Sequence, residues 1–223
     1  EVLAFRAQWV PGSTLEPLAV AVKVGRRELV LPASEGLAAR GQKEAFQPLI
    51  LVLKAGSDAE RQRAILALGN LGDRRALEEL EPLLNPDIEL PPEDRALAPQ
   101  AVEALGAMIS QLSQLGDQDE HDRVRRLVER SAEQGEYTLR IGALAGLRRA
   151  GDDRSRALIA KIASERLEPD AVRRQAIVEI GELGREDSEA VLANLLSDAN
   201  SDLRSVARAA LDRVFPTQRT RTA

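Results

Sequence analysis

The sequence predicts an all-α protein built from stacked helix pairs, and three observations carry that prediction. Residues 15–42 align with residues 46–73 at an offset of 31, matching Pro17 with Pro48, Lys23 with Lys54, Gly25 with Gly56, Leu37 with Leu68 and Gly41 with Gly72. An alanine recurs at Ala33, Ala64, Ala101, Ala143, Ala176 and Ala207, with spacings of 31, 37, 42, 33 and 31, the mark of a short repeat with two insertions. Within a unit the apolar residues keep a helical period, as in Ala64, Ile65, Leu68 and Leu71.

The first element is the least obvious. Leu15–Gly25 reads LEPLAVAVKVG, and with Glu28–Leu31 behind it the stretch has the alternation of a β-hairpin. The internal alignment places it on Phe46–Gly56, which aligns in turn with the helical stripe of Arg75–Leu84. A helix is therefore expected there despite the β-branched residues. A sheet pairing Val20–Val24 with Glu28–Leu31 is the competing reading.

Further along, Arg61–Leu71 forms the second helix of a pair, with Gly72 as its stop. Arg75–Leu84 opens the next pair through Leu77, Leu80, Leu83 and Leu84. The pattern returns in LRRAGDDRSRALIAKIA and IGELGREDSEAVLANLL. Asn85–Asp94, rich in proline and acid, reads as an exposed loop, and Ser113–Asp122 lengthens helix ends or the loop between them. Insertions in repeat arrays fall in loops and often at binding edges, so these are either functional elements or neutral expansion. Residues 1–216 are read as a single array and 217–223 as a disordered tail. Leu3, Phe5 and Trp9 precede the first full unit, where the tail of another second helix is due. The chain is accordingly expected to be a fragment of a longer protein, with further repeats or a docking domain upstream.

Composition narrows the chemistry. At 43% hydrophobic and 30% charged residues the chain is ordinary for a globular protein, and 2% aromatics make its core aliphatic. The absence of cysteine excludes disulfides, thiolate metal sites and thiol nucleophiles, and a single histidine, His121, excludes multi-histidine metal sites. A formal charge of −5 disfavours polyanion binding. No apolar run approaches the ~18 residues of a membrane span.

A helix pair buries only one side by itself, so neighbouring pairs must share a continuous core. The units resemble HEAT-like repeats, in particular the short variety named after phycobilisome lyases. Its pattern is an apolar helix, a turn with Asp or Pro-Asp, then an arginine-bearing helix ending in Leu-Gly-x-x-Gly-Asp. Leu68-Gly69-Asn70-Leu71-Gly72-Asp73 and Ile180-Gly181-Glu182-Leu183-Gly184 match that ending, and the resemblance runs from about Leu15 to Val214. It implies a right-handed α-solenoid of HEAT-like helix pairs, armadillo-like in architecture.

Two sets of residues follow. Arg61, Arg140, Arg173 and Arg204 each stand three positions before a repeat alanine, and Asp58, Asp170 and Asp202 precede them. The resemblance implies a structural ladder of turn carboxylates and helix arginines, the carboxylates doubling as helix N-caps. A phosphate-binding arginine row is the competing reading. In such arrays the second helices line the concave face, which here carries Arg63, Asn70, Gln100, Glu103, Arg149, Gln175, Glu179, Glu182 and Arg213 as candidate partner-binding residues.

No catalytic residue, metal site or cofactor is assigned. The acidic stretch Asp117–Asp122 around His121 lacks the glycine and distal glutamate of a calcium loop. Related HEAT-like hydroxylases bind iron through paired His-Glu motifs, and here His121 is followed by Asp122 without a second histidine. The expected function is a non-catalytic protein–protein interaction scaffold for a protein or peptide partner, cytoplasmic and bacterial. A nucleic-acid backbone-binding module, as in the HEAT-like alkylation-repair glycosylases, is the alternative. A chromophore-lyase accessory role follows only from the repeat's family name.

Overall fold

The computed structural model describes residues 27–116, 118–184 and 187–215, and every regular element among them is a helix. Leu15–Gly25, Glu1–Trp9 and the tail 217–223 lie outside the described residues. Glu28–Leu31, the second strand of the competing hairpin, is helical.

The chain divides into two compact units, Glu1–Leu127 and Val128–Ala223. The first contains α1 (Arg27–Ala38), α2 (Phe46–Ala55), α3 (Asp58–Leu71), α4 (Leu77–Leu80), α5 (Pro92–Arg95) and α6 (Ala98–Leu115). The boundary falls within α7 (Gln118–Gln134). The second contains α8 (Tyr137–Ala150), α9 (Asp153–Ser164), α10 (Asp170–Leu183), α11 (Asp187–Leu195) and α12 (Ser201–Val214).

Each unit is a stack of helix pairs. In the first, α2 packs on α3, and the second helices α1, α3 and α6 follow one another side by side. In the second, α9 packs on α10 and α11 on α12, while α8, α10 and α12 form the matching layer. The repeat alanines sit where neighbouring pairs meet: Ala64, Ala101, Ala143, Ala176 and Ala207 are fully buried and Ala33 nearly so. Around them Leu37, Leu49, Ile65, Leu68, Leu105, Leu144, Leu147 and Ile177 make an aliphatic interior.

Local chemistry explains the helix limits. At the start of α3, the Ser57 backbone N–H donates to the Glu60 carboxylate at 2.8 Å, and Gly72 ends the helix at φ 66°. That left-handed conformation is one a side chain resists; the same stop closes α6, α8 and α10 at Gly116, Gly151 and Gly184, and Gly41 adopts it at the end of the turn that follows α1. Asp152 caps α9 by accepting from the Ser155 N–H, and Asn200 caps α12 by accepting from the Asp202 N–H.

The helix expected over 75–84 is only partly regular. The four residues of α4 are flanked by 3-10 turns, Arg74–Ala76 and Glu81–Leu84. Pro82 accounts for the second of these, since it has no N–H to donate and its ring crowds the preceding turn, whereas a 3-10 turn like the first also leads into α2, at Lys43–Ala45. Pro48 and Pro99 fall in the first turns of α2 and α6, where no donor is needed. Of the two insertions, residues 85–89 are exposed and lead into α5, and Ser113–Asp122 is taken up by the end of α6, Gly116 and the first turn of α7.

Candidate interaction surface

The ladder arginines make a recurrent two-way contact. Arg61, on α3, donates through Nε to the Leu53 carbonyl at 2.9 Å and through Nη2 to Asp94. Arg140, on α8, donates to the Ala132 carbonyl at 2.8 Å and to Glu168 at 2.6 Å. Arg173, on α10, donates to the Ala163 carbonyl at 3.1 Å and to Asp198. In each case one bond goes back to the end of the first helix of the same pair, and the other forward to the turn of the next pair. Among the described residues, Arg204 bonds backward alone, to the carbonyls of Asp198 and Ala199 at 2.8 and 2.9 Å.

The forward acids are not those expected. Asp58, Asp170 and Asp202 do not cap their helices, because Ser57, Pro169 and Asn200 hold the N-cap positions. They lie inside the first turn, where a carboxylate still faces the positive end of the helix dipole. Asp170 is tied to the next pair by the Asn200 amide, which donates to it at 2.7 Å, and stands 3.6 Å from Arg173. The Arg173 guanidinium beside Asp198 holds that carboxyl below the usual carboxylate range, against the opposing pull of burial. Arg140 and Arg173 are buried, so their guanidinium groups are not presented to a phosphate.

On the faces of the second helices, charged side chains from successive pairs hold one another. Arg63 donates twice to Glu35, at 2.8 and 2.6 Å. Arg148 donates to Glu179 at 2.5 Å, and the other oxygen of that carboxylate accepts from Gln175 at 2.6 Å. Arg213 pairs with Glu182 at 2.7 Å. Of the remaining predicted residues, Asn70 is exposed, whereas Gln100, Glu103 and Arg149 are half-buried. Glu35 and Arg148 were not anticipated. Their signal is a charge of opposite sign 28 and 31 residues from the partner, close to one repeat length.

The acidic stretch around His121 is a local network. His121 Nδ1 stands 3.0 Å from Asp122, which also accepts from Gln118 at 2.8 Å, and Nε2 lies 3.4 Å from the buried Arg125. The His121 contact, with help from Gln118, holds the Asp122 carboxyl below its ordinary range. Nearby, burial pushes the Glu81 carboxyl up, opposed by Arg123 at 2.7 Å.

Residues 60–86 match the family model for the PBS lyase HEAT-like repeat. The chain carries a HEAT-like repeat. The matched stretch covers most of α3, the stop at Gly72 and the whole of α4. Arg61 and the Gly69-to-Gly72 ending fall inside this HEAT-like segment, and the two acceptors of Arg61, Leu53 and Asp94, flank it on either side. No curated protein matches the chain. Among solved structures it is similar to a designed armadillo repeat protein in complex with the peptide (KR)4, at 17% identity, covering 91% of this chain and 100% of that one, with a TM-score of 0.44. It is similar to the complex of CpcE and CpcF of phycocyanin lyase from Nostoc sp. PCC7120, at 19% identity, 90% and 88% coverage and a TM-score of 0.39. Human deoxyhypusine hydroxylase is another, at 16% identity, 95% and 88% coverage and a TM-score of 0.38.

Proposed function

We propose that this HEAT-like chain is a non-catalytic scaffold that binds a protein or peptide partner along the second helices of its units. The observation that supports it is the cross-repeat pairing of Glu35 with Arg63, Arg148 with Glu179, and Glu182 with Arg213. Side chains fixed by one another before a partner arrives lose less rotamer freedom on binding, and the exposed Arg63, Glu182 and Arg213 offer both signs of charge to a polar protein surface. The nucleic-acid alternative requires arginines available to phosphates. Arg63, Arg148 and Arg213 are already neutralised by carboxylates, and the chain's net charge is negative.

The test is capture from a lysate of the source cell with the tagged full-length protein, compared with the double variant Arg63→Glu, Glu182→Lys. A partner held by the wild type and released by the variant is the expected result. Salt-sensitive binding to duplex DNA, with no protein retained, overturns the reading.

A further inference from the structure

The second unit has a groove of about 480 Å³ across α8, α10 and α12, lined in part by Tyr137, Arg174, Gln175, Val178, Asp202 and Leu203. Its charges differ from those on the rest of the second helices. Among the described residues, the side chains of Tyr137, Arg174 and Asp202 make no hydrogen bond or ion pair. Tyr137 is 55% exposed, a large ring left in solvent in a chain with one tyrosine. The neighbouring Asp170 is occupied by Asn200, so the groove's acidic end has one committed and one uncommitted carboxylate.

The order across the helices is an aromatic ring on α8, a cation and an apolar floor on α10, and an acid on α12. We propose that this groove receives an extended segment of a protein partner, with an acidic side chain for Arg174, a basic side chain for Asp202, and an apolar contact on Tyr137 and Val178. Charge complementarity carries the choice: a polyanion satisfies Arg174 but is repelled by Asp202, and a purely basic chain meets the reverse. Packed helices lie roughly 8–10 Å apart and an extended chain advances about 3.3 Å per residue, so the acid and base of the segment stand about two to four residues apart. The proposal rests on the scaffold reading and places its contact.

The experiment uses the full chain and an array of short peptides in which one Asp and one Lys are fixed at varied separations in random backgrounds. Wild-type protein is expected to select such peptides over versions with either charge removed. Arg174→Glu weakens that selection by about ten-fold or more, and the double variant Arg174→Glu, Asp202→Lys selects the sequences with Asp and Lys exchanged. Should a reversal disturb folding by circular dichroism, Arg174→Gln and Asp202→Asn replace it. The groove is overturned if no peptide is preferred, or if the exchange of charges does not follow the double variant. Selection that survives Arg174→Glu but is lost in Arg63→Glu, Glu182→Lys overturns the groove alone and leaves the scaffold standing.

Discussion

Gly69 on α3 lies directly against Ala104 on α6. A Cβ added to Gly69 would sit 2.6 Å from the Ala104 Cα and 2.8 Å from its Cβ and carbonyl oxygen. Those atoms belong to backbone or to a side chain with no freedom, so the two helices have to separate. Gly69→Ala gains about 1 kcal/mol of helix propensity and loses about 1–3 kcal/mol to overpacking, so a net loss of stability is expected. At Gly181 the nearest atoms are the Ala210 Cβ and the mobile end of Arg213, both at 2.9 Å. Gly181→Ala is expected to cost less, and urea unfolding of the two variants side by side checks the order.

Arg140 joins three segments through one guanidinium. Arg140→Ala leaves the Ala132 carbonyl without this donor and the Glu168 carboxylate unpaired, and is expected to destabilise the protein by about 3–5 kcal/mol. Arg140→Lys keeps the charge but lacks the fork that reaches both acceptors, so its midpoint should fall between wild type and alanine. Urea denaturation monitored by circular dichroism reads both. Equal midpoints for wild type and lysine would mean the fork is unimportant.

Leu68 and Ile180 hold corresponding places in α3 and α10, exposed by 0% and 3%. Leu68→Ala and Ile180→Ala each remove a side chain that neighbouring helices close over, with an expected loss of about 2–5 kcal/mol. Thermal unfolding measures it. A change below about 1 kcal/mol would show that the cavity collapses at little cost.

Asp198 gives the fold an acid-sensitive joint. Its carboxyl is held below its unfolded value by the hydrogen bond from Arg173, so the folded state favours the ionised form. The stabilisation is complete above the unfolded pKa of about 3.9 and is lost as pH falls through the folded value. Asp198→Asn should lower the urea midpoint near neutral pH, and its curve should approach the wild-type curve as pH falls from about 3.9, the ordinary carboxylate value, through the folded value of Asp198. Curves that stay parallel until the protein is acid-unfolded would refute the linkage.

The repeat was legible because it is written in single residues with strict duties. The six alanines mark where pairs meet, and Gly41 and Gly72, aligned by the 31-residue offset, both take the left-handed conformation after a second helix. Pro82 interrupts the helix over 75–84 although its effect was readable, because the leucine stripe around it was the stronger pattern. The ladder acids were misplaced for a different reason. Asp94, Glu168 and Asp198 stand 33, 28 and 25 residues beyond their arginines, so no fixed offset marks them. Counted backward from the next repeat alanine they stand seven to nine residues away, a signal that appears only when the turn is referred to the following helix. The groove was invisible in sequence, since Tyr137, Arg174 and Asp202 share no spacing and meet only through the stacking of α8, α10 and α12.

The forward bonds of the ladder make one repeat's completeness depend on its successor. In each linked pair the acid is the more exposed member: Asp94 at 30% against Arg61 at 15%, Glu168 at 19% against Arg140 at 10%, and Asp198 at 9% against Arg173 at 4%. Local opening of a later turn therefore strands a deeply placed cation in the earlier one, whereas opening of an earlier helix releases an acid closer to water. Damage spreads toward the N-terminus more readily than away from it. Tandem duplication suits the same arrangement, because a copied turn arrives with the carboxylate that the preceding arginine already requires.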